Sequence, residues 1–291
     1  MREKQKILVT GANGQLGKEL QQLCHLMPGY DFIFLARDDM PIQQFELVRT
    51  MFDFIKPAFC INCAAYTAVD KAENEKELAL EINGEAVGVL AAVCLEHETK
   101  FIQISTDYVF DGQGKTPYKE NDLTVPVNAY GASKLKGEEE ALKYNPETII
   151  IRTSWLYSSF GKNFVKTMLR LMSEKEEVNV VNDQFGSPTY AADLAQVILQ
   201  IVQHEKWQPG IYHYSDAGII SWFQFALAIK EISKNNCKVN PITTAQFPTP
   251  AKRPAFSALS CERIQRNFQI PLKDWQTSLA ACIDKIKNAP E

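Results

Sequence analysis

The sequence predicts an α/β fold, a doubly wound parallel sheet with a smaller C-terminal domain. Three observations predict it. Short apolar runs alternate with amphipathic helical patterns through the first half, and alternation of that kind builds right-handed βαβ units around a parallel sheet. The first apolar run stops at Gly11-Ala12-Asn13-Gly14-Gln15-Leu16-Gly17, a glycine-rich turn opening a helix. The later half is less regular, with shorter runs and clustered prolines.

The elements follow in order. Strands are expected at 6–10, 32–36, 58–63, 101–105 and 148–153, where apolar and β-branched residues cluster. Helices are expected between them, at 15–27, 45–54, 78–98 and 130–144. Beyond these, 164–173 and 192–204 read as helices, and 178–181 and 211–214 as strands. Segments 222–233 and 272–286 read as surface helices with one apolar face. Pro241, Pro248, Pro250 and Pro254 mark an ordered loop over a site or a linker, because proline removes a donor and fixes φ. The division expected is 1–154 as the first domain, with about 186–216 returning to it, and 155–291 mainly as the second.

Composition narrows the function classes. A net charge of −4 without a basic stripe does not fit a nucleic-acid binder. The apolar run Ile7-Leu8-Val9 is too short for a signal peptide or a membrane span, so no membrane partner and a cytoplasmic location are expected. The odd count of 7 cysteines suggests free thiols. Cys60 and Cys63 form a C-x-x-C within a strand, where residues three apart point to opposite faces, so neither redox nor metal chemistry is expected of them.

The glycine turn has the spacing of a Rossmann-type dinucleotide cradle. Gly11 permits the sharp turn, Gly14 lets backbone approach a pyrophosphate, and Gly17 lets the helix pack close to the sheet. Asn13, Gln15 and Leu16 complete a helix N-terminus whose free N–H groups suit phosphate. The second strand ends Ala36-Arg37-Asp38-Asp39. An arginine there suits a 2′-phosphate and an acid suits a free 2′-hydroxyl. Arg37 comes first, so NADPH is expected; Asp39 keeps NADH open.

Tyr130-Gly131-Ala132-Ser133-Lys134 puts a phenol and an ammonium on one helix face. A phenol titrates too high for proton transfer at neutral pH, and an adjacent cation is expected to lower it. The fourth strand ends Ser105-Thr106-Asp107-Tyr108. Ligands of open parallel sheets bind beyond the strands' carboxyl ends, which places Ser105 and Thr106 to hydrogen-bond a substrate carbonyl.

With these residues the chain resembles the extended short-chain dehydrogenase/reductase family, and most closely its dTDP-4-dehydrorhamnose reductase branch. The likeness covers nearly the whole chain. It includes the glycine turn, the stretches 62–73 and 105–112, Tyr130 to Lys134, 152–157, Asp183-Gln184-Phe185-Gly186-Ser187-Pro188-Thr189, and Arg253-Pro254. The resemblance implies catalytic roles for Thr106, Tyr130 and Lys134, with Thr106 orienting the sugar C4 carbonyl, Tyr130 donating the proton and Lys134 binding ribose. It implies that Cys63, Ala64, Ala65, Tyr66, Thr67 and Ser105 lie along the cofactor. It places Asp107 and Trp155 on the sugar, Arg253 on the nucleotide diphosphate, and Asn83 in support of the lysine through water or backbone.

The partner implied is a small nucleotide-sugar substrate, bound by a monomer or weak homodimer. Related dehydratases carry Thr-Asp-Glu at the strand end, and Tyr108 here replaces that base, which favours reduction over dehydration. The regulatory β subunit of methionine adenosyltransferase is also similar to this branch, so a non-catalytic NADP-binding subunit is the alternative. Some family members bridge a dimer through acids and magnesium. Glu19 matches one acid, but Ala192 stands where another would be, with Asp193 one place along, so no metal is expected.

Overall fold

The computed structural model describes residues 4–288. Its first half alternates as the pattern requires: β1 (Gln5–Thr10), α1 (Gln15–Leu23), β2 (Tyr30–Leu35), α2 (Phe45–Ile55), β3 (Phe59–Asn62), α3 (Val69–Ala72), α4 (Lys76–Leu80), α5 (Ala86–Glu96), β4 (Lys100–Thr106), α6 (Ala129–Tyr144) and β5 (Ile149–Thr153). The second half holds β6 (Leu156–Tyr157), α7 (Phe164–Glu174), β7 (Glu177–Val181), β8 (Phe185–Gly186), β9 (Thr189–Tyr190), α8 (Ala191–Gln203), β10 (Gly210–His213), β11 (Ile220–Ser221), α9 (Trp222–Ser233), β12 (Lys238–Ile242), α10 (Glu262–Phe268) and α11 (Trp275–Lys287).

The main sheet has 6 strands in the order β10-β5-β4-β3-β1-β2, and every pairing in it is parallel. Chain order reverses between β1 and β3. At that switch point the loops leaving the two strands diverge to opposite faces and leave a crevice. The alternation of side chains along each strand builds two cores. Ile7, Val9, Ile61, Ile149 and Ile151 meet α1, α8 and α10 on one face. Leu8, Cys60, Phe101 and Ile150 meet α2, α5 and α6 on the other. Cys60 and Cys63 divide between these faces as expected. A third core, with Tyr157, Val165, Met168, Phe225, Ile229 and Leu279 at its centre, belongs to the smaller lobe built around α7, α9 and α11.

Several boundaries differ from the expected ones for local reasons. The first helix stops at Leu23, not 27, and ends in a 3₁₀ turn over Cys24–Leu26, because Pro28 disfavours helical backbone at the preceding residue. The helix expected at 78–98 opens into a π turn at Glu81–Glu85, a feature that often marks functional positions. The last helix begins at Trp275 rather than 272, because the Asp274 carboxylate accepts the amides of Gln276 and Thr277 at 3.0 and 3.1 Å. The expected proline loop is partly strand: Pro241 lies in β12, which among the described residues pairs with β7 alone, and such an edge tolerates a missing donor. The short helix α10 is absent from the sequence expectation; Ile264 and Phe268 bind it to the main core. The run Lys76–Glu96 is long and apolar enough to cross a membrane by composition, and more than half of it is buried inside the protein.

Candidate active site

A cleft of about 820 Å³ opens at the carboxyl ends of β1, β3 and β4, within the size range of ligand sites. Gly11 forms its floor. Its φ of +64° is left-handed, and a Cβ there would lie 2.5 Å from Ala64 N, so the first and third strand-end loops touch through backbone. Gly17 lies outside the cleft and packs α1 onto the turn itself, with a Cβ position 2.5 Å from Gly11 O. The α1 N-terminus is capped by no side chain, and its first turn carries no acid. Its amides are therefore free for an anion, and Asn13, Gly14, Gln15 and Leu16 line the wall beside them.

Opposite them run Cys63, Ala64, Ala65, Tyr66 and Thr67. A buried ladder holds both loops. Asn62 accepts from Thr10 and donates 2.7 Å to Gln103, and Gln103 donates 2.8 Å to Ile104 O. Sequence reasoning missed it; one polar residue on each of three neighbouring strands is the only signal. Asn83 is expected to support the lysine through water or backbone. Instead its side chain accepts from Tyr66 N at 2.9 Å and donates to Tyr66 O and Ser133 Oγ, so it fixes the cofactor-side loop. The π turn aims it there.

Arg37 lines the outer end of the cleft and is exposed. Asp39 does not line it. Its carboxylate turns back to accept Ala36 N at 2.8 Å, a tight-turn contact that local spacing favours over ribose.

The chemistry-bearing residues converge at the inner end. Gly131 lets α6 reach the turn after β4, since a Cβ there would fall 2.1 Å from Tyr108 O. The Asn128 side chain caps α6 through Gly131 N at 2.8 Å. Tyr130 thereby packs edge-on against Tyr108 at 5.7 Å, beside Thr106. Burial pushes its phenol up to about 12, against the pull of the Thr106 hydroxyl, while Asp107 adds to the rise. This corrects the expected lowering by the lysine: burial penalises the phenolate, and the Lys134 ammonium is turned to Ile104 O. Lys134 lies one turn on, its Nζ donating 2.7 Å to Ile104 O. Burial brings it down to about 8.

Thr106 Oγ1 donates 3.0 Å to Asp107 Oδ1 and accepts from Tyr108 N at 3.2 Å. Asp107 is buried, and its Oδ2 has no hydrogen-bond partner among the described residues. Burial raises this carboxyl to about 6. Ser105 was expected on a substrate carbonyl. Its hydroxyl donates instead to Glu138, which is paired with buried Arg152 at 2.6 Å. A buried carboxylate needs that donor more than the open cleft does.

On the remaining side Trp155 lines the cleft with a φ of +47°, and Trp222, not singled out from sequence, stacks on it. Arg253 is paired with Asp70 at 2.8 Å and does not line the cleft.

With this geometry in view, comparison with known proteins decides the family. Residues 5–288 match the family described as the RmlD substrate binding domain. The chain belongs to the RmlD family. A dTDP-4-dehydrorhamnose reductase from Aggregatibacter actinomycetemcomitans is 42% identical, over 94% of this chain and 97% of that protein. The crystal structure of a dTDP-4-dehydrorhamnose reductase from Clostridium acetobutylicum is 41% identical with a TM-score of 0.93, covering 97% of this chain and 99% of the other. One from Bacillus anthracis, solved in complex with NADP, is 39% identical with a TM-score of 0.93, covering 97% and 100%.

The acids considered for a metal bridge are engaged within the chain here. Glu19, fully buried, accepts from Ser158 at 2.6 Å and from Lys285 at 2.7 Å. Asp193 is paired with Lys273 and accepts from Ser278. Ala192 packs against the smaller lobe's core. Two lysines thus supply the positive charge that these carboxylates need.

Proposed function

We propose that this RmlD protein reduces dTDP-4-dehydro-β-L-rhamnose to dTDP-β-L-rhamnose, with NADPH as the reductant. The observation that carries the reading is the convergence of Thr106, Tyr130 and Lys134 on the cleft that begins at the uncapped α1 N-terminus. The residues fit a dinucleotide: free helix amides face phosphate, backbone replaces side chains at Gly11, and Arg37 stands at the outer end for a 2′-phosphate. When bound, the nicotinamide supplies the hydride.

The chain does the rest. Thr106 Oγ1 swings its proton from Asp107 Oδ1 to hold the C4 carbonyl oxygen, Tyr130 Oη delivers the proton to that oxygen, and Lys134 orients the ribose while its charge eases the phenolate left behind. A positioned acid of this kind contributes about 10²–10⁴-fold, and holding the reactants together supplies much of the remainder. Asp107 and Trp155 take the sugar. Arg253 stands outside the cleft on Asp70, and its Nη1, without a partner among the described residues, meets the diphosphate once the side chain turns inward. The larger lobe serves the cofactor and the smaller one the sugar nucleotide.

Tyr108 at the dehydratase base position supports simple reduction. The complete Thr106, Tyr130 and Lys134 set speaks for a catalyst over the non-catalytic regulatory subunit. The test is NADPH oxidation with the keto-sugar nucleotide and identification of the product. Cofactor binding without turnover would return the regulatory reading.

A further inference from the structure

The motif Asp183 to Thr189 has no part in the chemistry above, yet β8 runs through it. β8 pairs antiparallel with β11, in a register that sets Gly186 against Ile220 and Phe185 against Ser221. Trp222 follows as the first residue of α9, where the Ser221 capping box fixes the helix start and Ser221 Oγ donates 2.8 Å to Asn182. Gly186 and Trp222 therefore arrive together, and both meet Trp155. A Cβ on Gly186 would lie 2.7 Å from the Trp155 indole. The indole of Trp222 stacks on that of Trp155 with centroids 3.6 Å apart and planes 9° from parallel. Phe164 closes on Trp222 at 4.6 Å.

Trp155 needs such support. A bulky residue at φ +47° is a genuine outlier, and it persists only where the surroundings over-determine it. Strain of this sort gathers at ligand clamps. Here the Trp155 indole lines the cleft that Asp107 also lines, and Trp222 lines it as well.

We propose that Gly186 and Trp222 are positioning residues that hold Trp155 in its left-handed conformation, forming with it an apolar platform for the C–H face and C6 methyl of the deoxysugar. The proposal rests on the reading of Trp155 as a sugar contact. A methyl and a ring of axial C–H bonds offer an indole no hydrogen bonds, only dispersion and apolar burial, and a stacked pair presents a flat surface for both. The platform discriminates by shape and apolarity, whereas Thr106 and Asp107 discriminate by hydrogen bonding.

The experiment compares four variants in steady-state reduction, with NADPH binding measured separately by fluorescence. Trp222→Ala raises KM for the keto-sugar nucleotide about tenfold, with NADPH affinity unchanged. Trp222→Phe, which keeps a stacked ring, restores most of that loss. Gly186→Ala raises KM similarly with Trp222 in place, and stands in should Trp222→Ala fold poorly. Trp155→Ala tests the underlying reading. A raised KM in Trp155→Ala beside parental values in Trp222→Ala and Gly186→Ala overturns the positioning roles and leaves the sugar contact standing. A parental KM in Trp155→Ala removes the sugar contact and the proposal with it. Equal loss of NADPH affinity in Trp222→Ala, unrescued by Trp222→Phe, makes the effect one of general folding and overturns the proposal.

Discussion

Lys134 Nζ is tethered to the carbonyl oxygen of Ile104 at 2.7 Å, which anchors the ammonium to β4 at the floor of the cleft. Burial there lowers it to about 8. In the proposed reaction the charged form orients ribose and eases a phenolate, and it is lost as pH rises through that value. A kcat/KM profile should therefore fall above about pH 8. In Lys134→Met the rate should be low throughout, with that limb gone. A parental-shaped profile in the variant assigns the limb to another group.

Tyr130→Phe removes the proposed proton donor and keeps the ring packed on Tyr108. Cofactor affinity should stay near parental while turnover drops about 10²–10⁴-fold. Single-turnover NADPH oxidation read beside a binding titration separates the two quantities, and parental turnover would move the acid role to another residue.

Asp107 trades stability for function. Its carboxyl is raised to about 6 by burial, so the folded state disfavours the charged form. Stability from the neutral carboxyl is fully present below the ordinary carboxylate range and is lost as pH rises through about 6. Asp107→Asn carries no such charge. Its Tm should exceed the parent's at pH 7.5, the gap should close near pH 4, and sugar-nucleotide reduction should fall. Thermal scans across this range decide it; a gap that widens toward acid pH contradicts the assignment.

Arg37 is the group at the cleft's outer end that suits a 2′-phosphate. Losing a charge-assisted bond of this type costs roughly ten- to hundredfold in affinity. Arg37→Ala should weaken NADPH by that factor and leave NADH nearly unchanged. Equal loss of both cofactors would place the arginine on a group they share.

Glu19 and Asp193 carry their compensating charge within the chain, from Lys285 and Lys273. Chelation of divalent ions should leave the reduction rate intact. Lys285→Ala should instead lower Tm, because the Glu19 carboxylate then stays buried without its cation. Activity lost to chelator and restored by magnesium would show that a metal serves the enzyme after all.

Much of this was legible in the chain because it is local. Ile7 and Val9 facing one core while Leu8 faces the other is a period of two, written in consecutive residues. The glycine turn and the Tyr130–Lys134 spacing are equally local, and the cleft brings their residues together. The misreadings share a cause. Ser105 was placed by its strand end, but its partner Glu138 comes from α6, and Asp39 was placed by strand order, yet a backbone amide in its own turn captured it.

The sequence alone determined the parallel sheet, the glycine turn that opens α1 and the placing of a phenol and an ammonium on one helical face, since each follows from spacing within a few residues. Only the tertiary structure decided that Asn83 holds the Tyr66 loop, that Lys285 neutralises Glu19 from the far end of the chain, and that Gly186 and Trp222 pack against Trp155. Those choices depend on which distant groups are buried together. Desolvation makes a buried polar group take whatever partner the fold brings near, and no local pattern encodes that partner.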